Sequence, residues 1–277
     1  MLKKNNIDSQ LGGNIGRPVL SLKKKKKSIF VIEASSYQLA YSKFVKPTYA
    51  IILNITKDHL DWHGSMNNYV NSKLKIFSLQ DKNSFALLED KKLIKKLKKR
   101  GVSSKLKFVS IKPYKKIQRR IKNSHLTSGT NEKNMCFVYT LSKILRIKDN
   151  LLIKSLKSFK GLHHRHEIFY KKRNVQFIND SKATSFEASR FALMNNKNIF
   201  WIVGGLPKMK DKFYLKNIKK NIIKAYIVGK NIKFFKDELK NNLDFEISKT
   251  LKKALTQIFK KIKKINYNRK IIVLLSP

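Results

Sequence analysis

Residues 49–77 read "YAIILNITKDHLDWHGSMNNYVNSKLKIF" and join a short apolar run to a segment of helical periodicity. The run 49–55 is apolar on both faces, which is typical of a buried strand in a parallel sheet. Apolar residues then recur at helical spacing within 65–80, at Met66, Tyr69, Val70, Leu74 and Phe77. The stretch therefore predicts a strand followed by a helix, the repeating unit of an α/β fold.

Polar residues crowd the junction between that strand and that helix, where Asp58, His59, Asp61 and His63 fall within six positions. In open parallel sheets ligands bind beyond the carboxyl ends of the strands. Two Asp and two His are conspicuous in a chain with only 17 acidic residues, so the cluster predicts a metal or phosphate site. An N-cap formed by Asp58 and ordinary loop histidines are the alternative interpretation.

The same alternation of strand and helix continues along the 277 residues, a length sufficient for two cores. It predicts strands at 29–35, 49–55, 85–89, 106–111, 175–180, 199–205, 225–229 and 270–277, and helices at 65–80, 131–147, 184–195, 231–240 and 249–264. We therefore expect an α/β protein with two domains of mainly parallel sheets flanked by helices. The segment "GLHHRHE" (161–167) marks the predicted boundary, which divides the chain into 1–162 and 163–277.

The formal charge of +46 would ordinarily suggest a nucleic-acid or anionic-membrane partner. However, only 9 of the 63 basic residues are Arg and 54 are Lys, whereas bidentate readers of phosphate and guanine favour Arg. The lysines are also spread along the chain, as solvated helix faces would be. We expect no specific nucleic-acid partner, and keep a basic, non-enzymatic nucleic-acid-binding module as the rival hypothesis.

Cellular location is indicated by what the composition excludes. Cys136 is the single cysteine, so an intrachain disulfide is impossible and a cysteine-built metal site is not expected. The opening residues have no apolar run that would form a signal peptide, and the run at 271–275 is far too short to span a membrane. We expect a cytoplasmic monomer without a membrane partner.

Four further places put polar residues where a strand ends or a domain begins. Glu33 follows an apolar run and could hold a divalent cation, or it could be an exposed strand-end residue with Ser35 capping the next helix. The arginine of "GLHHRHE" could clamp a phosphate or lie in an ordinary basic linker. "FINDSKATS" (177–185) and "GGLPK" (204–208) place hydroxyls and lysines where an anion could bind, although an N-cap by Ser181 or Thr184 also explains the former.

Taken together and in this order, these segments resemble the Mur ligase family, and in particular its D-glutamate-adding branch. The matching stretches are "GGNIGRP" (12–18), "VIEASSYQL" (31–39), residues 52–77, "GLHHRHE", "INDSKATS" (178–185), "GGLPK" and the terminal "VLLSP". They extend over nearly the whole chain. "NDSKATS" separates this branch from the ligases that add other amino acids and from the folylpolyglutamate synthases, which we keep as alternatives.

The resemblance implies a P-loop-type central ATPase domain, a Rossmann-like C-terminal domain, and ATP and Mg²⁺ as cofactors. It implies that Glu33 and His59 ligate Mg²⁺, with Lys73 as a further ligand if it is carbamylated. Asn14, Ser35, Ser36 and Gln38 would face the UDP-sugar substrate.

For ATP and D-glutamate the resemblance implies a second set of residues. Asn131 would approach the adenine, although Thr130 replaces the family's usual His before it. Arg165 would contact an ATP phosphate and Asp180 the ribose, while His163 replaces the family's common Pro. Lys182, Thr184 and Lys208 would receive the carboxylates of D-glutamate, and Lys182 would join Lys73 and His59 as a catalytic residue.

The implied reaction belongs to peptidoglycan precursor synthesis. ATP phosphorylates the carboxylate of UDP-MurNAc-L-alanine, and D-glutamate then displaces phosphate from the acyl phosphate to give an amide. The family's glycine-rich ATP loop is a departure, because no G-x-x-G-K-[ST] motif occurs in the sequence. We therefore expect a chain truncated at both ends, without the domain that grips the uridine nucleotide, and an inactive fragment in isolation.

Overall fold

A computed structural model describes residues 1–23, 25–127, 129–208, 211–213, 216–264 and 269–276. These residues form two units, Met1–Phe159 and Lys160–Pro277. The division in the sequence falls a few residues before the predicted boundary. Each unit has its own hydrophobic cores.

The first unit carries two separate parallel sheets. Strands β1 (Ser9–Gly13) and β2 (Ile29–Glu33) form one, and β3 (Tyr49–Ile52), β4 (Phe85–Leu88) and β5 (Lys105–Phe108) form the other in that order. The helices of this unit are α1 (Ser36–Tyr41), α2 (Leu60–His63), α3 (Met66–Leu74), α4 (Lys91–Lys99), α5 (Ile111–Gln118), α6 (Ser124–Thr127), α7 (Gly129–Ile144) and α8 (Asp149–Lys157).

The lysine-rich run at 91–100 shows how a basic sequence still builds the fold. Asp90 caps α4 by accepting hydrogen bonds from the backbone N–H groups of Lys92 and Leu93. Leu97 is buried in the core beneath β3 and β4, while the lysines of α4 are exposed or only partly buried. Much of the positive charge therefore lies on helix faces in water, as predicted.

The second unit is built on one six-stranded sheet in the order β10-β9-β8-β11-β7-β6. The strands are β6 (Glu167–Lys172), β7 (Val175–Asn179), β8 (Ile199–Gly204), β9 (Ile222–Val228), β10 (Phe245–Lys249) and β11 (Ile271–Leu275). All neighbours are parallel except β6 and β7, which are antiparallel. The helices are α9 (Phe186–Asn195), α10 (Ile232–Leu239) and α11 (Leu251–Lys264).

Strand β8 explains why a continuous apolar run marks the sheet centre. Ile199, Trp201 and Val203 face one core, while Phe200 and Ile202 face the other. Every residue of β8 is buried, because helices cover both faces of the sheet.

The eight predicted strands are present, although Pro277 lies outside the described residues. Strands β1, β6 and β10 were not predicted. Strand β1 ends in two glycines, and β6 lies at an edge with five of its six residues exposed, so neither forms a buried apolar run. No helix within the described ranges is long and apolar enough to cross a membrane.

Candidate active site

The carboxyl end of β2 is held against the loop that follows β1. A Cβ on Gly13 would lie 2.2 Å from the carbonyl oxygen of Glu33, and Gly13 has a φ of +107°. Only glycine therefore allows this approach. The backbone N–H of Asn14 then donates to the same carbonyl oxygen at 2.8 Å. Two residues from separate sequence motifs, Asn14 and Glu33, are thus brought together.

The Glu33 side chain has an unsatisfied oxygen. Its Oε2 is buried without a hydrogen-bond partner among the described residues. A buried carboxylate oxygen without a partner is costly, because it has given up water and received nothing in exchange. Such an oxygen is suited to accept a cation or a donor group from a ligand.

Ser35 and Gln38 form a capping box at the start of α1. The Ser35 hydroxyl accepts from the backbone N–H of Gln38, and Gln38 Oε1 accepts from the backbone N–H of Ser35 at 2.9 Å. Ser36 is only 3% exposed, and its hydroxyl lies 2.9 Å from Nε2 of His63. The side chains of Ser35, Ser36 and Gln38 are therefore all bonded within the protein itself, and Ser35 is the N-cap that the alternative interpretation expected.

His59 is fixed through both nitrogens of its ring. Its Nδ1 lies 2.8 Å from the hydroxyl of Tyr37, and its Nε2 lies 3.4 Å from Oδ2 of Asp58. The residue adopts a left-handed φ of 52° just before α2, with its backbone N–H bonded to Asp58 Oδ1. A metal on Nε2 would have to take the place of Asp58 or be shared with it.

Lys73 lies half-buried on α3, with its Nζ 4.9 Å from the centre of the Tyr69 ring. Burial lowers the pKa of Lys73, and the carboxylates of Asp58 and Glu33 act in the opposite direction. Lys73 thus lies within electrostatic reach of Glu33, as the metal assignment requires. A lowered pKa also raises the fraction of neutral, nucleophilic amine at a given pH.

His63, a member of the predicted cluster to which the resemblance assigns no role, is 6% exposed and surrounded by aromatic rings. Its ring centre lies 4.5 Å from that of Trp62 and 5.1 Å from that of Tyr69. Desolvation lowers the pKa of His63, and the nearby His59 and Lys73 lower it further. The charge of Asp61 acts in the opposite direction, and the net lowering of the pKa favours the neutral imidazole.

Whether these residues fit Mg²⁺ depends on their donor atoms. Across the part of the chain that the structure describes, no group of three or more His, Cys, Asp or Glu side chains could hold a metal. Mg²⁺ usually takes only one or two carboxylates from protein, together with water and substrate oxygens. The unsatisfied Oε2 of Glu33 meets that requirement, and a carbamate on Lys73 would add a second carboxylate-like donor.

Asn131, the predicted adenine contact, lies on α7. Its Nδ2 donates to the backbone carbonyl of His125 at 2.8 Å, so the side-chain amide already has a hydrogen-bond partner within the first unit. The side chain of Thr130 lies outside the described residues.

In the second unit, Arg165 lies in a sharp turn between two residues of left-handed conformation, His164 (φ 63°) and His166 (φ 48°). The Arg165 side chain is exposed. Asp180 is only 8% exposed, and its Oδ1 accepts from the backbone N–H of His166 at 2.9 Å. The turn holds Arg165 close enough for its charge to act on Asp180.

Burial raises the pKa of Asp180, against the hydrogen bonds from His166 and Ser276 and the charge of Arg165. Ser276 Oγ lies 3.4 Å from Asp180 Oδ2 and 2.9 Å from Ser189 Oγ. The ribose assignment therefore falls on a carboxylate that already has protein partners on both oxygens.

The side chains of Lys182 and Thr184 are exposed beside the start of α9. The N-cap of α9 is Ser185, whose hydroxyl accepts from the backbone N–H of Ala188. An N-cap by Ser181 or Thr184 was thus the wrong alternative, because the helix begins one residue later than Thr184 allows.

Asp211 connects the loop that carries Lys208 to the start of α9. The carboxylate of Asp211 accepts from the backbone N–H of Phe186 at 3.1 Å, and the charge of Lys208 acts on that carboxylate. The backbone N–H of Asp211 also donates to the carbonyl oxygen of Lys208 at 3.1 Å, so the "GGLPK" loop lies near the start of α9.

Tyr37, Asp211 and Ser276 were missed by sequence reasoning. Each contacts a candidate residue or the helix that carries one, but each occupies an unremarkable position in the sequence. Tyr37 and Ser276 had a signal, because each lies in a matching stretch, Tyr37 in "VIEASSYQL" and Ser276 in the terminal "VLLSP".

Comparison with known proteins identifies the family. Residues 5–152, just over half of the chain, match the Mur ligase middle domain. The chain is 32% identical over 296 residues to the UDP-N-acetylmuramoylalanine–D-glutamate ligase of Rickettsia bellii, covering 99% of this chain and 66% of that protein. The enzyme of the same name from Bartonella henselae is 33% identical, with 100% of this chain and 64% of that protein covered. The chain thus spans slightly less than two thirds of these relatives.

Solved structures agree on the fold. A MurF ligase from Thermotoga maritima in complex with ADP aligns with a TM-score of 0.66 at 16% identity, over 99% of this chain and 71% of that one. MurF from Acinetobacter baumannii aligns with a TM-score of 0.70 at 14% identity, over 99% and 68%. At such low identity these alignments speak for the fold alone. The match to the middle domain over more than half of the chain confirms the sequence resemblance: the chain belongs to the Mur ligase family.

Proposed function

We propose that this chain supplies the ATPase-type and C-terminal parts of an ATP-dependent ligase that adds D-glutamate to UDP-MurNAc-L-alanine. The observation that carries the proposal is the 32% identity to a D-glutamate ligase over 99% of this chain. Similarity of that extent includes both units and the "NDSKATS" segment that distinguishes this branch.

The geometry of the first unit supports a role for Glu33, His59 and Lys73 at a magnesium site. When bound, Mg²⁺ would neutralise charge on the phosphoryl oxygens as they move from ATP to the substrate carboxylate. Glu33 would offer its unsatisfied Oε2, while Tyr37 and Asp58 hold the ring of His59 in one orientation.

Lys73 would contribute after reaction with CO₂. The lone pair of the neutral amine attacks the carbon of CO₂, a C–N bond forms, and one C=O pair moves onto oxygen. The lysine ammonium has first given up one proton to become this amine; after attack, a second proton leaves the nitrogen to water, which gives an anionic carbamate. The lowered pKa of Lys73 favours this step, because only the unprotonated amine is nucleophilic.

The second unit would handle the nucleotide and the incoming amino acid. The exposed Arg165 is available to an ATP phosphate, and Lys182, Thr184 and Lys208 are gathered near the start of α9 for the carboxylates of D-glutamate. Asp180 would first have to release or share its bonds to His166 and Ser276 before it could hold the ribose. Attack of the D-glutamate amine on the acyl phosphate would then form the amide and expel phosphate.

The test is phosphate release from ATP that requires both UDP-MurNAc-L-alanine and D-glutamate. It uses the 277-residue chain and, in parallel, a longer chain that includes the in-frame sequence flanking it. Lys73→Ala, His59→Ala and Lys182→Ala should each lower the turnover of the active form by about 10²-fold or more, since each removes charge or a ligand from the reacting groups.

The exposed residues Lys95 and Lys197 provide matched lysine-to-alanine controls, one in each unit. Their replacement should leave turnover unchanged. Full turnover in all three site variants would refute the site assignment. Tight, salt-dependent duplex DNA binding without any ligase turnover would instead favour the rival nucleic-acid-binding module.

A further inference from the structure

His63 makes polar contacts with two different helices, although no part of the proposed reaction uses it. Its Nε2 lies 2.9 Å from the hydroxyl of Ser36 on α1. Its Nδ1 lies 3.5 Å from the hydroxyl of Ser72 on α3, a long and weak contact. The backbone carbonyl of His63 also accepts from Nδ2 of Asn68 at 3.0 Å.

The direction of these bonds follows from Ser72. Its hydroxyl donates to the backbone carbonyl of Asn68 at 2.9 Å, so toward His63 the Ser72 oxygen can only accept. This arrangement favours the tautomer with the imidazole proton on Nδ1, because a bare Nδ1 facing an acceptor would be buried without a donor. In that tautomer Nε2 is an acceptor, and the hydroxyl of Ser36 is the donor to it.

The two serines adjoin the groups that would hold the metal. Ser72 directly precedes Lys73, and Ser36, the first residue of α1, lies three residues after Glu33, the last residue of β2. A second route connects His63 to the same lysine, since its ring packs on Tyr69 and the ammonium of Lys73 lies over that ring. His63 therefore joins the segment that carries Glu33 to the helix that carries Lys73.

A histidine that merely filled the aromatic cluster would need only its ring. Trp62 and Tyr69 would accept a phenyl ring in the same place, at little cost to packing. What a phenyl ring cannot supply is the acceptor for Ser36 and the donor for Ser72. The hydrogen bonds thus separate a positioning role from simple packing.

We propose that His63 is a positioning residue, which uses the chain Ser36–His63–Ser72 to hold Glu33 and Lys73 in fixed relation. The effect on metal binding rests on the proposed function. The hydrogen bonds of His63 and their effect on the position of Lys73 are independent of that function.

The first experiment determines the tautomer and the access to Lys73 in the 277-residue chain. ¹⁵N NMR of the imidazole should show the Nδ1–H tautomer. The acylation rate of Lys73, extrapolated to the fully deprotonated amine so that it reports access alone, should rise several-fold in His63→Phe. An Nε2–H tautomer, or an unchanged rate in a folded His63→Phe variant, would overturn the proposal.

Two conservative variants test the two side-chain hydrogen bonds of His63 separately. His63→Gln can keep an acceptor near Ser36, and His63→Asn can keep a donor near Ser72, so each should raise the rate less than His63→Phe does. His125→Phe is the matched control, because His125 lies on α6 in the same unit and its pKa is also lowered by burial. That variant should leave the acylation rate of Lys73 unchanged.

If His63→Phe does not fold, Ser36→Ala and Ser72→Ala replace it, because each removes one hydroxyl and little volume. Both should raise the Lys73 rate, and two unchanged rates would overturn the proposal. Mn²⁺ then serves as the metal probe. Wild-type binding that weakens several-fold in His63→Phe supports the positioning role, and equal binding contradicts it. If the wild-type chain binds no Mn²⁺, the proposed metal site fails, and the tautomer and the acylation rates still decide the role of His63.

Discussion

The hydroxyl of Tyr37 lies 2.8 Å from Nδ1 of His59, and the two ring centres are 4.9 Å apart in an edge-to-face arrangement. The contact ties the first turn of α1 to the loop before α2. It orients the nitrogen that would face a metal, as partners of ligating histidines commonly do.

Removing this hydroxyl should loosen His59 without disturbing the aromatic cluster. We expect Tyr37→Phe to cost about 0.5–1.5 kcal/mol in unfolding free energy, the net value of one hydrogen bond. It should also weaken Mn²⁺ binding several-fold. Urea unfolding and a Mn²⁺ titration measure the two effects. Tyr41→Phe is the control, since Tyr41 is exposed; equal losses in both variants would contradict a specific role for Tyr37.

A methyl group at Gly13 should disrupt the end of β2. Gly13→Ala combines a positive φ with a Cβ 2.2 Å from the Glu33 carbonyl oxygen, so we expect a loss of about 2–5 kcal/mol. Peptide-resolved hydrogen exchange over residues 9–33 would locate the change. Gly64→Ala has a φ of +72° but nothing within 4 Å of the added Cβ, so it should lose only about 1–2 kcal/mol. A loss of unfolding free energy in Gly13→Ala no larger than that in Gly64→Ala would show that the loop after β1 moves away from Glu33 at no cost.

The carboxylate of Glu33 should restrain the reactivity of Lys73. Burial lowers the pKa of Lys73, and the charges of Asp58 and Glu33 raise it. Glu33→Gln removes one raising charge, so the pKa of Lys73 should fall further and its acylation at fixed pH should become faster. Mass spectrometry of the labelled peptide measures the rate, with Glu89→Gln as a control in the same unit. Slower acylation of Lys73 in Glu33→Gln would contradict the prediction that the Glu33 charge raises the pKa of Lys73.

Asp180 should make the second unit less stable as the pH rises. Burial raises its pKa in the folded state above the ordinary 3.8, so its stabilising contribution is complete below 3.8 and is lost as the pH rises through the folded pKa. Asp180→Asn can still accept from His166, and it does not titrate. We therefore expect the variant to gain stability relative to wild type as the pH rises from 4 to 7.

Fluorescence of Trp201 in a Trp62→Phe background would follow unfolding of the second unit, because Trp201 is buried there and Trp62 lies in the first unit. Burial also raises the pKa of Asp211. Because Asp211 is present in both the wild type and the variant, its contribution to stability cancels in the difference. A stability difference that stays constant between pH 4 and 7 would disprove the raised pKa of Asp180.

Local sequence reasoning succeeded where one physical signal dominated. The run 199–205 predicted a central strand because both faces of β8 are buried. Strand β6 escaped prediction, since an exposed edge strand needs no apolar run and is specified by pairing with β7. For the site, the position of Glu33 and His59 after predicted strands made both candidates, whereas Lys73 was named only through the resemblance. Ser35 was expected as a possible helix cap, but the bonds of Ser36 and Gln38 within the protein were not predicted.

The sequence by itself determined the α/β class, the two-part organisation and the family, because strand and helix periodicities and ordered motifs are local properties of the chain. Tertiary structure alone decided which side chains remain available to a ligand. A hydroxyl or imidazole has only a few hydrogen-bonding positions, and residues distant in sequence compete for them. His63 shows the difference: it is unassigned in the sequence, yet in the fold it stands between Ser36 and Ser72.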